Sequence, residues 1–241
     1  MVSINDVRET VLAICNKNNY GYISPDDFNL YAKQAQLDIF NEYMNQYNYY
    51  INLENQHTSG SDLADLAESV REEIEMFITG GALTYVAPST VGDYSVFNFA
   101  PSVNWYHINL LTYTGGTKDV EVSKGSRLDI TRLQNSNLTA PTTTYPMYVM
   151  GESDSFAIAP SSIISDIECV YMRYPVDPYW GYQNLVNGEP IFDPSSPDTQ
   201  DFEVSEDEES RLVDKILEKA GLSIREPEIY KTAAVNDNQQ Q

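Results

Sequence analysis

At Gly80-Gly81 the periodicity of the chain changes, and that change restricts the folds open to it. Before the glycine pair, apolar residues recur at helical spacing. After it, short runs of Tyr, Val, Thr and Phe are broken by Pro, Gly and Asn, the pattern of strands and turns. A chain divided in this way is expected to be α+β: an N-terminal helical bundle with a long helix, a small mostly antiparallel β domain, and a C-terminal helix with an extended tail.

Residues 1–80 read as the helical region, with helices over about 4–14, 25–53 and 62–77. Ile4, Val7, Val11, Leu12 and Ile14 make the first, and the Asn-rich turn from Asn16 to Gly21 stops it. Ser24-Pro25-Asp26-Asp27 opens the second. Serine caps, proline suits the first helical position, and acids favour the positive end of the helix dipole. This helix carries two apolar stripes, Phe28, Tyr31, Ala32, Ala35, Ile39 and Tyr43 on one side and Leu30, Leu37, Phe40, Met44, Tyr47 and Ile51 on the other. An outer helix of a monomer needs one stripe, so the second is expected to meet another helix, in this chain or in a neighbouring subunit. Leu63, Leu66, Ala67, Val70, Ile74 and Phe77 mark the third helix, with Gly80-Gly81 as its stop.

The β domain is expected over 81–175, with strands at Leu83–Val86, Tyr94–Phe99, Trp105–Thr112, Met147–Gly151, Phe156–Ala159 and Ile167–Tyr174. Ser126 and Asp129 make a capping pair for a short helix over Ser126–Asn135. Residues 176–204 read as an extended proline-rich connection, and one this long is expected to pack on something, a neighbouring subunit included. A helix over 205–221 follows, with Glu206 to Glu209 in its first turn and Leu212, Val213, Ile216, Leu217 and Ala220 as its stripe. Arg211, Lys215 and Lys219 match its dipole, and Gly221 is its stop. Residues 222–241 are a polar tail, disordered or an arm that orders on a partner.

Thirty-six acidic against 14 basic residues leave a formal net charge of -22. Such a surface repels polyanions, which argues against sequence-specific nucleic-acid binding but suits a wall past which DNA slides without sticking. Eighteen tyrosines against 8 phenylalanines and 2 tryptophans lean towards an interaction protein, since tyrosine carries apolar area and a polar tip together. No apolar run approaches a membrane span and the N-terminus carries no secretory pattern, so synthesis in a cytoplasm and no membrane partner are expected.

Chemistry-bearing motifs are scarce. Asn16 to Asp27 looks like a calcium loop, with Gly21 and Ile23 in place, but Asn16 stands where Asp is usual, Tyr20 occupies a ligand position, and Asp27 replaces the closing Glu. Cys15 and Cys169 read as two reduced core thiols. His57 and His107 belong to no HExxH motif, and GxSxG, Walker and GxGxxG motifs are absent from the sequence. Asn137-Leu138-Thr139 matches a glycosylation acceptor only by coincidence in a chain without a secretion signal. No catalytic residue, cofactor or metal is expected.

The string Gly21-Tyr22-Ile23-Ser24-Pro25-Asp26-Asp27-Phe28-Asn29, followed by Ala32, Ala35, Gln36 and Phe40, resembles the N-terminal region of structural proteins in crAss-like phages and other Bacteroidetes podoviruses. A second block resembles a recurrent pattern in phage head-to-tail connector proteins: Ala140-Pro141-Thr142, Tyr145-Pro146-Met147-Tyr148, Phe156-Ala157-Ile158-Ala159-Pro160 and Val170-Tyr171-Met172-Arg173-Tyr174-Pro175. The acidic C-terminal helix ending in Ala220-Gly221 also fits, so the likeness spans about residues 20 to 222.

The resemblance implies a non-enzymatic virion protein at the head-tail junction, made in the host bacterial cytoplasm. It implies a homo-oligomeric ring, commonly of twelve copies, below the portal. The implied contacts are with the portal protein and with further ring or tail proteins, and the genome passes through the lumen. The residues expected at such interfaces are Phe40, Met44, Tyr47, Tyr50, Tyr174, Tyr179, Trp180, Tyr182, Ile224 and Tyr230. The 176–204 connection and the tail are expected to lock neighbours together. Two other readings compete. A carbohydrate- or receptor-binding accessory virion protein would expose Trp105 or Trp180, and a calcium-responsive regulator would use the Asn16 loop.

Overall fold

The computed structural model of the 241-residue chain describes residues 1–17, 22–55, 70–89, 92–101, 103–151, 154–185, 188 and 190–224. It divides the chain into two compact units, Met1–Glu75 with Pro175–Gln241, and Met76–Tyr174. The second unit is therefore inserted in the sequence of the first.

In the first unit, α1 (Ile4–Lys17) and α2 (Pro25–Asn55) come from the N-terminal part of the chain. A short 3-10 turn (Glu206–Glu208) and α4 (Glu209–Ile224) come from the C-terminal part. Helix α2 begins where the local chemistry dictates. The Ser24 hydroxyl accepts from the Asp27 amide at 3.2 Å and donates to the Asp27 carboxylate at 2.6 Å, a reciprocal cap. Ile4, Val7, Val11 and Cys15 form the buried face of α1, and Phe28, Ala32, Ala35, Ile39 and Tyr43 that of α2. Helix α4 packs on both with Leu212, Val213, Ile216, Leu217 and Ala220. It runs through Gly221 rather than ending there.

The second unit is an eight-stranded sheet of β1 (Ile78–Pro88), β2 (Ser95–Phe99), β3 (Trp105–Tyr113), β4 (Val120–Glu121), β5 (Ser123–Lys124), β6 (Met147–Met150), β7 (Ser155–Ala159) and β8 (Ile167–Arg173). The order is β4-β3-β8-β1-β2-β7-β6-β5. All pairings are antiparallel except β5 with β6, so the sheet is mixed. Strands β4 and β5 lie at opposite edges of that order, yet Val122 alone separates them in sequence. One residue spans at most about 3.6 Å, so the two edges lie side by side and the sheet is curled into a nearly closed barrel. Val122 bonds through its amide to the Leu111 carbonyl at 2.9 Å, and Ser123 bonds to that of Pro146 at 3.0 Å.

Closure explains the core. Leu83, Phe97, Phe99, Ile108, Leu111, Val122, Tyr148, Phe156, Ile158, Ile167, Cys169 and Tyr171 form one buried cluster. Small barrels fill their interior with inward-pointing side chains in this way. The Trp105 ring on β3 lies 6.2 Å from Phe156 on β7, four strands away in the sheet order. A smaller cluster of Tyr94, Ile130, Ala157 and Ala159 joins β7 to α3 (Arg127–Gln134), whose capping residue Ser126 accepts from the Asp129 amide at 3.1 Å.

This architecture corrects the expected fold class. The dominant feature is a large, nearly closed mixed sheet rather than a small β domain beside an N-terminal helical bundle. Helix α4 and the 175–204 segment belong to the same unit as α1 and α2. Gly80 and Gly81 end no helix: the helical residues stop at 75, and both glycines lie inside β1, opposite Val170 and Cys169. Most of the helix expected over 62–77, the tail from 225, and residues 18–21 of the Asn16–Asp27 loop lie outside the described residues. Among the described residues no helix is long and apolar enough to cross a membrane.

Candidate functional site

Reactive groups are placed where they do structural duty. Cys169 is buried inside the barrel and desolvation pushes its thiol up to about 12, which disfavours the nucleophilic thiolate. Burial also raises the Cys15 thiol. Asp27, the closing position of the calcium-like loop, is engaged in the α2 cap. Among the described residues no three His, Cys, Asp or Glu side chains gather in a way that could hold a metal ion.

The 175–204 segment, expected as an arm for a neighbour, packs on its own chain. Trp180 is 2% exposed. Its ring stacks at 5.7 Å on Tyr182 and at 5.9 Å on Phe192, and the Arg8 guanidinium lies over it. Its amide donates to Asn29 Oδ1 at 2.8 Å and its indole nitrogen to Asn5 Oδ1 at 3.1 Å. Gln36, also buried, donates to the Val176 carbonyl at 2.7 Å and accepts from the Glu203 amide at 2.9 Å. Glu203 Oε2 accepts from the Val176 amide at 2.8 Å, which closes the loop of bonds. The stacking platform that a glycan reading needs from Trp180 is thus occupied, and Trp105 is half-buried against Phe156.

The residues expected at interfaces therefore divide. Phe40, Met44 and Trp180 are buried within their own chain. Tyr47, Tyr174 and Tyr182 are half-buried and Tyr179 is exposed. Trp180 and Tyr182 come together in the stack, and Tyr174 meets Tyr106 edge-on at 5.3 Å. The side chains of Tyr50 and Ile224 and all of Tyr230 lie outside the described residues.

Charge is distributed unevenly. The basic residues of α4 match acids on α2: Lys215 and Arg211 converge on Glu42, the former at 2.8 Å, and Lys219 pairs with Asp38 at 2.5 Å. Arg211 also meets Glu208 at 3.2 Å. Burial first, and then the charges of Glu208, Asp207 and Glu72, hold the Glu73 carboxyl above its ordinary range. Lys33 is paired with Asp177 and Arg8 is stacked on Trp180. Lys33, Arg211, Lys215 and Lys219 are thereby paired with Asp177, Glu42, Glu208 and Asp38, so these contacts leave the net negative charge of the chain unchanged.

Two exposed patches carry large apolar side chains. Along α2, the exposed residues Leu30, Gln34, Leu37, Asn41, Asn45 and Asn48 follow one another at spacings of three and four, with Asp26, Asp27 and Lys33 exposed beside them. At 1.5 Å per residue this stripe runs for about 27 Å. Leu30 is 51% and Leu37 36% exposed. In the other unit, no residue from Leu133 to Gly151 is charged. The loop between α3 and β6 presents Leu138 at 94% and Tyr145 at 77% exposure, held by a Thr142–Tyr145 bridge. Parts of this loop, Ala140-Pro141-Thr142 and Tyr145-Pro146, belong to the connector-like blocks, yet none of its residues is among those expected at an interface. The missing charge over 19 residues was the signal available. No protein-family model matches the chain, and no curated protein matches it.

Proposed function

We propose that this chain is a non-enzymatic structural subunit of a tailed-phage particle, forming a homo-oligomeric ring in the head-to-tail connector below the portal. The observation that carries the reading is the pair of exposed apolar patches, Leu30 and Leu37 on α2 and Leu138 and Tyr145 on the loop between α3 and β6, on a strongly acidic chain. Large exposed apolar side chains are what a protein presents where it is to be covered. Two different faces on one subunit are what a heterologous, ring-closing contact requires. The ordered connector-like blocks between about residues 20 and 222 support the virion setting, and the acidic surface suits a channel through which DNA passes without adhering. The portal and further ring or tail proteins are the partners on this reading.

Location is tested on the particle itself. Antibodies to the purified chain, applied to purified virions, are expected to decorate the junction of head and tail in electron micrographs, and the chain is expected among the particle's proteins by mass spectrometry. Labelling of fibre tips would favour the receptor-binding alternative. Absence of the chain from particles would remove the virion reading.

A further inference from the structure

We infer that Arg8 is the recognition group of a carboxylate-binding site, where a free organic acid or the acidic side chain of a partner protein sets one carboxylate against the guanidinium. The inference is independent of the ring reading. Arg8, Arg211 and Lys215 are the basic residues buried among the described residues. Arg211 and Lys215 meet carboxylates. Arg8, only 7% exposed, forms no ion pair among the described residues, and its Nε is buried without a hydrogen-bond partner. A buried charge without a counter-ion is costly. Burial accordingly lowers the guanidinium from its ordinary value.

The surroundings hold the group in the form that a planar anion matches. The Trp180 ring lies 3.7 Å and the Phe28 ring 5.9 Å from the guanidinium carbon. Stacking engages the face of a guanidinium and leaves the N–H donors of its edge, a rigid fork that fits a carboxylate two bonds at a time. Glu9, whose charge Arg8 feels, is the adjacent position on α1 and so projects to another side of the helix. Its carboxylate accepts from Asn5 Nδ2 at 2.8 Å. Asp26 is likewise taken, accepting from the Tyr182 hydroxyl at 3.3 Å. Both acids favour a singly charged ligand over a phosphate. Tyr22, 64% exposed, stands beside the guanidinium, so the site opens towards solvent there and its hydroxyl is a further donor.

The test titrates the full-length chain with sodium acetate, against sodium chloride at equal ionic strength and against acetamide, the neutral isostere. Nuclear magnetic resonance follows the Arg8 Nε–H and Trp180 indole N–H signals. Saturable shifts of both signals with acetate, and with neither control, are expected. Arg8→Lys keeps the charge but loses the fork, and is expected to weaken binding by about tenfold. Circular dichroism checks its fold, and the wild-type signals report on the site even if that variant unfolds. A blocked peptide carrying a single glutamate, with its glutamine counterpart as control, separates the sources: binding tighter than acetate identifies a protein carboxylate, and binding no tighter a small free acid. The proposal is overturned if neither acetate nor the glutamate peptide gives a saturable shift, if inorganic phosphate binds more tightly than both, or if a folded Arg8→Lys variant binds as well as wild type.

Discussion

The guanidinium carbon of Arg8 lies 3.7 Å from the centre of the Trp180 ring. The two residues are 172 positions apart (180 − 8). The same carbon lies 5.9 Å from the centre of the Phe28 ring, so the contact ties α1, α2 and the proline-rich segment together. This segment belongs to the helical unit's own core, and any contact with a neighbouring subunit has to use what that packing leaves exposed.

Truncation of Trp180 removes a buried aromatic and with it the ring on which Arg8 stacks. Trp180→Ala is expected to cost about 3–5 kcal/mol, and Arg8→Ala about 1–2 kcal/mol. The double variant should lose less than the sum of the two, because the residues share one contact. Denaturant unfolding followed by far-ultraviolet circular dichroism measures all three. Strict additivity would show that the stack contributes only separate burials.

Gln36 offers a sharper polar test. Gln36→Leu keeps the approximate volume but leaves the Val176 carbonyl and the Glu203 amide without their partner. Loss of these two hydrogen bonds is expected to cost about 1–3 kcal/mol in all. The segment's amides should then exchange hydrogen faster than those of α2, which a hydrogen-exchange experiment reads directly. Unchanged protection at Val176 and Glu203 would show that the clamp holds nothing.

What the sequence disclosed followed the range of the physics. Local chemistry was legible: the Ser24 and Ser126 caps and the alternation in β2 and β8 depend on neighbours a few residues away. Long-range pairing was not. Gly80 and Gly81 read as a helix stop because glycine is ambiguous between a cap and a close approach in a strand, and only Tyr171, some 90 positions later, selects the second. Strands β4 and β5 are two residues each, too short for alternation to register, so barrel closure at Val122 was invisible. Arg211, Lys215 and Lys219 fitted a helix dipole, while in the fold they meet Glu42, Glu208 and Asp38. On the functional side, Phe40, Met44 and Trp180 were read as anchors for another subunit because a hydrophobic stripe does not announce which chain will cover it.

The glycine pair separates the two faces of β1. A methyl group at Gly81 would meet the Tyr171 ring at 3.2 Å, and that ring is held by Phe99 at 4.9 Å, so neither gives way easily. At Gly80 the nearest atom is a backbone oxygen at 4.0 Å. Gly81→Val is expected to destabilise by about 1–3 kcal/mol through overpacking, and Gly80→Ala to change stability by no more than about 0.5 kcal/mol. Thermal melts of the two variants settle the point; equal losses would mean that Gly81 does not face the interior.

Glu73 makes stability depend on pH in an unusual direction. Its carboxyl is held above the ordinary range, by burial first and then by Glu208, Asp207 and Glu72. Folding therefore takes up a proton between the unfolded and folded pKa values. The charged form subtracts stability above the folded value, and the penalty disappears below the unfolded one. Glu73→Gln is expected to raise the melting temperature at neutral pH, and the gain should vanish as pH falls below about 4. A variant that melts lower than wild type at neutral pH would show instead that the charged carboxylate is favourably paired.

The central claim is assembly, and one measurement addresses it most directly: the mass of the purified chain, alone and mixed with the portal protein, by light scattering with electron microscopy of the same samples. The account predicts closed rings of uniform size in at least one of the two samples. A chain that stays at its 27.2 kDa monomer mass in both would contradict it.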